Sequence, residues 1–345
     1  MAQSTNQKHI VSVSELLSLG TKAFERLGVP LADAQLCARV LVMADLFGLS
    51  THGMSRLESY GDRLKIGGIN PKADVVVEQV ANAVIKVDGG NGLGPVVGMR
   101  TLQATMDLAR QHGVAVGFAR GSNHFGPISP YLYMAAEQGF ASLICSNATT
   151  TIAPWGGSDA RLGNNPMGFG APGADGQHFM LDMAISVAAR AKIRSALREG
   201  KPIPGTWATD AGGNPTTDPA KALDGFLQPM GGYKGYGLAL MVDLLAGVFS
   251  DAAYLTHVKS WVDDPEEPQN LGHFYLLIDT KVLGPSGWLL ERMKDFAMIL
   301  HASPAANVDQ PVMMPGEIEL ARMRTRQTQG IELDAALMQL IQSEG

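Results

Sequence analysis

The five residues Ser122-Asn123-His124-Phe125-Gly126 put an imidazole and a carboxamide into one short glycine-bounded stretch. An imidazole titrates near neutrality, so His124 is a candidate to take or give a proton. Asn123 beside it is a candidate for hydrogen bonding a substrate. A second cluster, Ser50-Thr51-His52-Gly53, is followed by Arg56 and Tyr60 at successive spacings of four. Residues four apart share a helix face, so His52, Arg56 and Tyr60 are expected to point into one pocket. A guanidinium there suits a carboxylate, which it can grip through two parallel hydrogen bonds. The competing readings are a histidine that bonds its own turn and a solvated basic helix face. A third cluster, Gly231-Gly232-Tyr233-Lys234-Gly235-Tyr236-Gly237, precedes an apolar run expected to be helical over 238–249. Free N–H groups and the dipole at a helix start favour a phosphate. An exposed lysine on a flexible loop is the alternative.

These groups need elements to hold them. Val114-Ala115-Val116-Gly117-Phe118-Ala119 reads as a buried strand leading into the His124 bend, with a helix over 131–138 after it. Strand-to-helix bends are where α/β proteins commonly keep catalytic groups. Ahead of it, Ser12 with Glu15 forms a capping-box pattern that opens a helix over 13–27. A second helix is expected over 31–47, and a third carrying Arg56, Tyr60 and Arg63. Strands follow at 75–80 and 83–87, then a helix over 95–112. Gly92-x-Gly94 before that helix imitates a dinucleotide fingerprint, but the next strand ends in Ala119-Arg120-Gly121, without the required acid. Further strands are expected at 140–145, 179–184 and 273–279, and helices over 187–199, 287–300 and 331–342. Asp182 stands inside an apolar run, where a carboxylate needs a partner. The acidic insertion at 259–270 reads as a solvated surface loop.

Composition narrows the class. A hydrophobic content of 46% with 17% charged residues describes a well-packed globular protein. A net charge of −6 without a basic run argues against nucleic acid as a partner. Cys37 and Cys145 lie in apolar segments, as in a reducing cytosol. Neither a signal peptide nor a membrane-length apolar run is visible, so a soluble, cytoplasmic protein is expected. The histidines lack ligand spacing, so no metal is expected, and no Gly-x-Ser-x-Gly elbow is present. A non-catalytic ligand-binding protein gives no account of histidine, arginine and lysine recurring in glycine-bounded turns.

Taken together, the motifs resemble the second type of malate/L-lactate dehydrogenase. That family also includes ureidoglycolate, sulfolactate and diketogulonate oxidoreductases and cyclic-imine reductases. The resemblance runs through Ser50-Thr51-His52-Gly53 with Arg56 and Tyr60, Ser122 to Gly126, Pro154-Trp155-Gly156-Gly157 and Gly163-Asn164-Asn165-Pro166. It continues in Leu181-Asp182-Met183-Ala184, Gly232 to Gly237 and Pro315-Gly316-Glu317. It implies an NAD- or NADP-dependent oxidoreductase of a small 2-hydroxy/2-oxo acid, or of a cyclic imine, assembled as a homodimer. It also implies a mixed α/β fold whose cofactor domain is not a Rossmann fold but a mainly antiparallel mixed sheet. A helical domain would combine residues 1–72 with 300–345, leaving 73–299 as the cofactor-binding and catalytic region. The cofactor positions fall on Asp182, Met183, Ala184, Lys234, Gly235, Pro315, Gly316 and Glu317, and the acid/base histidine on His124 or His52. Two positions depart from the pattern: Ala148, where relatives place a small hydroxyl residue near the cofactor, and Ala191, where many have glycine.

Overall fold

The structure, a computed structural model, describes residues 8–344; residues 1–7 and 345 of the expected helical unit lie outside the described residues. Ser12 opens helix α1 (Val13–Arg26), its hydroxyl accepting the Glu15 N–H at 3.2 Å as the capping pattern predicts. Helix α2 (Leu31–Leu46) packs on α1 and is apolar on nearly every side, which makes it a core helix. The chain then makes a short 3₁₀ turn, Ser50–His52, before helix α3 (Arg56–Lys65). His52 therefore lies on the turn, and only Arg56 and Tyr60 of the expected trio are on the helix.

A seven-stranded sheet forms the centre. Its strands are β2 (Val76–Ala81), β3 (Val84–Asp88), β4 (Val114–Ser122), β5 (Phe140–Ser146), β8 (Met167–Ala171), β9 (Phe179–Met183) and β10 (Leu271–Asp279). They run in the order β2-β3-β4-β10-β5-β8-β9. Only β3 and β4 are parallel; every other neighbouring pair in this sheet is antiparallel. Helices α4 (Gly94–His112) and α5 (Ser129–Glu137) cover one face, and α2 packs over both. The period of two along β10 divides its side chains between two cores. Tyr275 and Leu277 enter the core shared with α2, α4 and α5, whereas Phe274 and Leu276 join a second cluster with Phe118, Ile185, Ile193 and Val242.

Two smaller sheets complete the strands: β6 (Thr150–Ile152) with β7 (Leu162–Gly163), and β1 (Lys8–Val11) with β11 (Ile331–Asp334). The last pairing corrects the single helix expected over 331–342. Ile331 and Leu333 are buried while Glu332 and Asp334 are exposed, a strand alternation. A helix follows only from Ala335, where the Asp334 carboxylate accepts the Leu337 N–H at 2.7 Å. The helix expected over 238–249 is also redrawn. It runs from Tyr233 to Asp243, and a π turn, Leu244–Val248, extends it. Among the described residues no helix is long and apolar enough to cross a membrane.

Candidate active site

His124 sits in the turn between β4 and α5, half-buried, with Phe125 and Gly126 buried behind it. Its Nδ1 is 2.7 Å from the Tyr60 hydroxyl. The His52 ring lies 5.6 Å from the His124 ring, and Trp261 stands 6.2 Å from it on another side. The sheet thus supplies one histidine, and the turn after α2 supplies the other. Arg56, one helical turn before Tyr60, contributes positive charge to all of them. Burial and then the Arg56 charge lower His52 to a pKa of about 4, and the same two causes, in that order, hold His124 well below its ordinary value. Both rings are accordingly neutral at pH 7. Burial pushes the Tyr60 hydroxyl upward, so it stays protonated. The Arg56 Nε is buried without a hydrogen-bond partner, and a guanidinium N–H left unfilled in this way suits an incoming anion.

Two unforeseen supports fix this geometry. Asp45 on α2 accepts the Met54 N–H at 2.7 Å and so braces the turn bearing His52. Gly53 is glycine for room, because a Cβ there would lie 2.0 Å from the Asp45 carboxylate. His273 on β10 is fully buried, with Nε2 2.7 Å from the Ser122 hydroxyl and Nδ1 2.9 Å from that of Ser146. Its ring stacks on Phe125 at 4.2 Å. This bridge ties the ends of β4, β10 and β5 together beneath the His124 turn. Gly94 also belongs to that turn, since a Cβ would meet the carbonyl oxygens of Asn123 and His124 at 2.3 Å. The glycine pattern that imitates a nucleotide fingerprint is therefore packing under the histidine.

Asn123 is turned inward, and its Oδ1 has no hydrogen-bond partner. It is fully buried, and its amide donates to the Asn91 side chain at 3.0 Å and the Gly92 carbonyl at 2.9 Å. The acidic insertion is the surface loop expected, with Asp263, Glu266 and Glu267 exposed, but its tryptophan turns back toward the histidines. Trp261 leaves it to stand 5.8 Å from Tyr60 as well as facing His124, held by the buried Arg63 beneath it. A tryptophan amid polar residues is the only signal of this in the sequence.

The segments expected to hold a cofactor lie together along the β9 edge. Asp182 is answered by the start of α5: its Oδ2 accepts the Ser129 N–H at 2.8 Å and the Ser129 hydroxyl at 2.6 Å. Its carboxylate is thus committed to the helix that follows the His124 turn, leaving Met183 and Ala184, both half-buried, beyond it. Met180 donates to the Pro315 carbonyl at 3.0 Å, which brings Gly316 and Glu317 alongside. Glu317 pairs with His301 at 2.8 Å. At the other end Met230 donates to the Ile185 carbonyl at 2.9 Å, setting the turn before Lys234 next to Ala184. Gly235 is buried, whereas the Lys234 ammonium is on an exposed residue in the first turn of its helix. Asn165 knits the region, accepting the Ala148 N–H at 3.1 Å and donating to the Ala239 carbonyl at 2.8 Å. A cavity of about 510 Å³ opens nearby between Trp155, Ser158, Thr209, Phe226 and Gln228, and none of the histidine-site residues lines it. Among the described residues no group of three or more His, Cys, Asp or Glu side chains is arranged to hold a metal ion.

Comparison with known proteins decides the class. Residues 11–342 match the malate/L-lactate dehydrogenase family. The chain belongs to that family. The malate dehydrogenase of Pyrococcus horikoshii is 36% identical over 333 residues, covering 94% of this chain and 91% of that protein. The ureidoglycolate dehydrogenase (NAD(+)) of Escherichia coli K12 is 32% identical over 318 residues, covering 92% and 90%. The structure of Δ1-piperideine-2-carboxylate reductase from Pseudomonas syringae pv. tomato superposes with a TM-score of 0.89 at 29% identity, over 98% of this chain and 100% of that one. As a member of the malate/L-lactate dehydrogenase family the chain is an oxidoreductase, on the mixed α/β fold of its relatives.

Proposed function

We propose that this oxidoreductase transfers a hydride between NAD or NADP and the α-carbon of a small 2-hydroxy/2-oxo acid. The observation that carries the reading is the Tyr60–His124–His52 cluster beside a guanidinium whose Nε is buried and unfilled. Arg56 takes the substrate carboxylate, and that charge offsets the Arg56 field, the smaller of the two causes beside burial that keep both imidazoles neutral. With its Nδ1–H donating to the Tyr60 oxygen, His124 presents an unprotonated Nε2 to the substrate oxygen. It takes the proton during oxidation to become the imidazolium, and as the imidazolium returns it during reduction. His52 hydrogen bonds the same oxygen or shares the proton. Trp261 limits water around this oxygen.

The residues present fit a dinucleotide. Backbone at Met183–Ala184 and Pro315–Gly316–Glu317 would hold it along the β9 edge, with Asp182 fixing that edge to α5. Lys234, among free N–H groups at the start of an eleven-residue helix, would take a phosphate. When bound, the nicotinamide supplies the hydride acceptor or donor. We also propose that the region 73–299, with its largely antiparallel sheet, is a non-Rossmann cofactor-binding unit, and that 1–72 and 300–345 form the helical unit beside it. A homodimer is supported by the exposed apolar row Met241, Leu244, Val248 and Phe249. A cytoplasmic location is supported by two free, buried cysteines.

The test is to follow reduced-cofactor absorbance with pyruvate, oxaloacetate and oxidised ureidoglycolate, using NADH and NADPH in turn. Turnover of one 2-oxo acid establishes the reading. Likeness to the Δ1-piperideine-2-carboxylate reductase structure favours a second reading, cyclic-imine reduction, in which His124 serves a nitrogen. Turnover of an imino acid alone selects it. Absence of both turnover and thermal stabilisation by either cofactor leaves a ligand-binding protein.

A further inference from the structure

Arg63 is the largest fully buried side chain among the described residues, and none of the proposed chemistry uses it. Its guanidinium donates to the carbonyls of Glu267 at 2.6 Å, Gly68 at 3.3 Å, and Trp261 and Asp264 at 3.4 Å. It also lies 4.7 Å from the Trp261 ring centroid, a cation–π contact. Three of those four carbonyls belong to the acidic insertion, about two hundred residues away in the chain. The same insertion presses on Gly68, where a Cβ would lie 2.0 Å from the Pro265 carbonyl oxygen. A polar segment that would otherwise sample many conformations is thus held against α3 by a buried cation, and its one large ring is directed at Tyr60 and His124. Trp261 remains only partly buried, so part of the indole is left facing open space.

We propose that Trp261 is a specificity-determining residue that bounds the space for the substrate's side chain, and that Arg63 is the positioning residue that keeps it there. The inference rests on the 2-oxo acid reading given above. With the carboxylate on Arg56 and the reacting oxygen on His124, the α-carbon's remaining substituent must lie against what else borders the histidine. His52 occupies one side at 5.6 Å and Trp261 another at 6.2 Å. An indole is rigid and wide, so it admits short substituents and excludes branched or aromatic ones. One methylene in such a pocket changes selectivity by roughly 10–200-fold, and removal of an indole opens room for several.

The experiment compares kcat/KM for phenylpyruvate with that for pyruvate in the parent enzyme, Trp261→Ala, Trp261→Phe and Gly68→Ala. Trp261→Ala is expected to raise the phenylpyruvate-to-pyruvate ratio by about tenfold or more, with the cofactor KM unchanged, and Trp261→Phe by less. Gly68→Ala touches no substrate but pushes the insertion away through Pro265, and is expected to move the ratio in the same direction. A merely structural role would lower both substrates together and leave the ratio where it was. An active parent whose ratio stays within about twofold in all three variants overturns this inference alone. A parent that turns over no 2-oxo acid overturns the functional reading and the inference with it.

Discussion

Tyr60 Oη and His124 Nδ1 are 2.7 Å apart, joining α3 to a turn 64 residues further along the chain. That bond orients the imidazole, so the two residues are expected to fail unequally. His124→Ala should lower turnover by roughly 10²–10⁴-fold. Tyr60→Phe keeps the ring and its packing, and should lower kcat by a smaller factor while leaving the cofactor KM in place. Steady-state kinetics on both variants checks this, and full turnover without the imidazole would remove His124 from the chemistry.

The pH profile should separate free enzyme from complex. In the free protein, burial and the Arg56 charge lower His124, and His52 to about 4, so the neutral bases persist well into acid. A carboxylate bound on Arg56 favours the imidazolium and raises both values. For hydroxy-acid oxidation, the acid limb of kcat should therefore lie at higher pH than the acid limb of kcat/KM. Coincident limbs would show that the anion binds away from the histidines.

Arg56→Lys replaces a planar fork by a point charge. The expected result is an acid-substrate KM raised by about tenfold or more, against a nearly constant cofactor KM. Equal losses for both ligands would contradict the carboxylate assignment.

Asp45 offers a test of stability. Burial raises its carboxyl from 3.8 to about 7, against the opposing pull of the Met54 N–H and the Arg326 charge. Between those two values the folded chain keeps a proton that the unfolded chain has lost, so stability falls as pH rises through that window. Asn at this position can still accept the Met54 N–H and carries no charge. Asp45→Asn should therefore gain in Tm relative to the parent at about pH 8 and gain little at about pH 5. An equal difference at both pH values, read by thermal melts, would show that the charge is not what costs stability.

Much of this was visible in the chain. Local chemistry is legible where it is complete within a few residues: the Ser12 cap on Glu15, the apolar run before Ser122, and the need of Asp182 for a partner. What lay hidden was set by distant contacts. Ile331 to Asp334 reads as the start of a helix until β1 is there to pair with it. His273 looks like any histidine in a strand until folding puts serine hydroxyls from two neighbouring strands on its two nitrogens. Asn123 lies beside the catalytic candidate in sequence, yet strand geometry turns it inward to Asn91 and Gly92. The acids around Trp261 correctly signal a surface loop for themselves, but only the buried Arg63 shows where the indole goes.

The dispersal of these groups has a kinetic consequence. Tyr60 meets His124 64 positions further along the chain, and Arg63 reaches the Trp261 carbonyl 198 positions further along. Contacts of such span form only after long stretches of chain have been closed into loops, which makes them slow. During refolding from denaturant, helical ellipticity should return early and enzymatic competence last, so that for a time the solution holds compact chains with native-like backbone and no working centre.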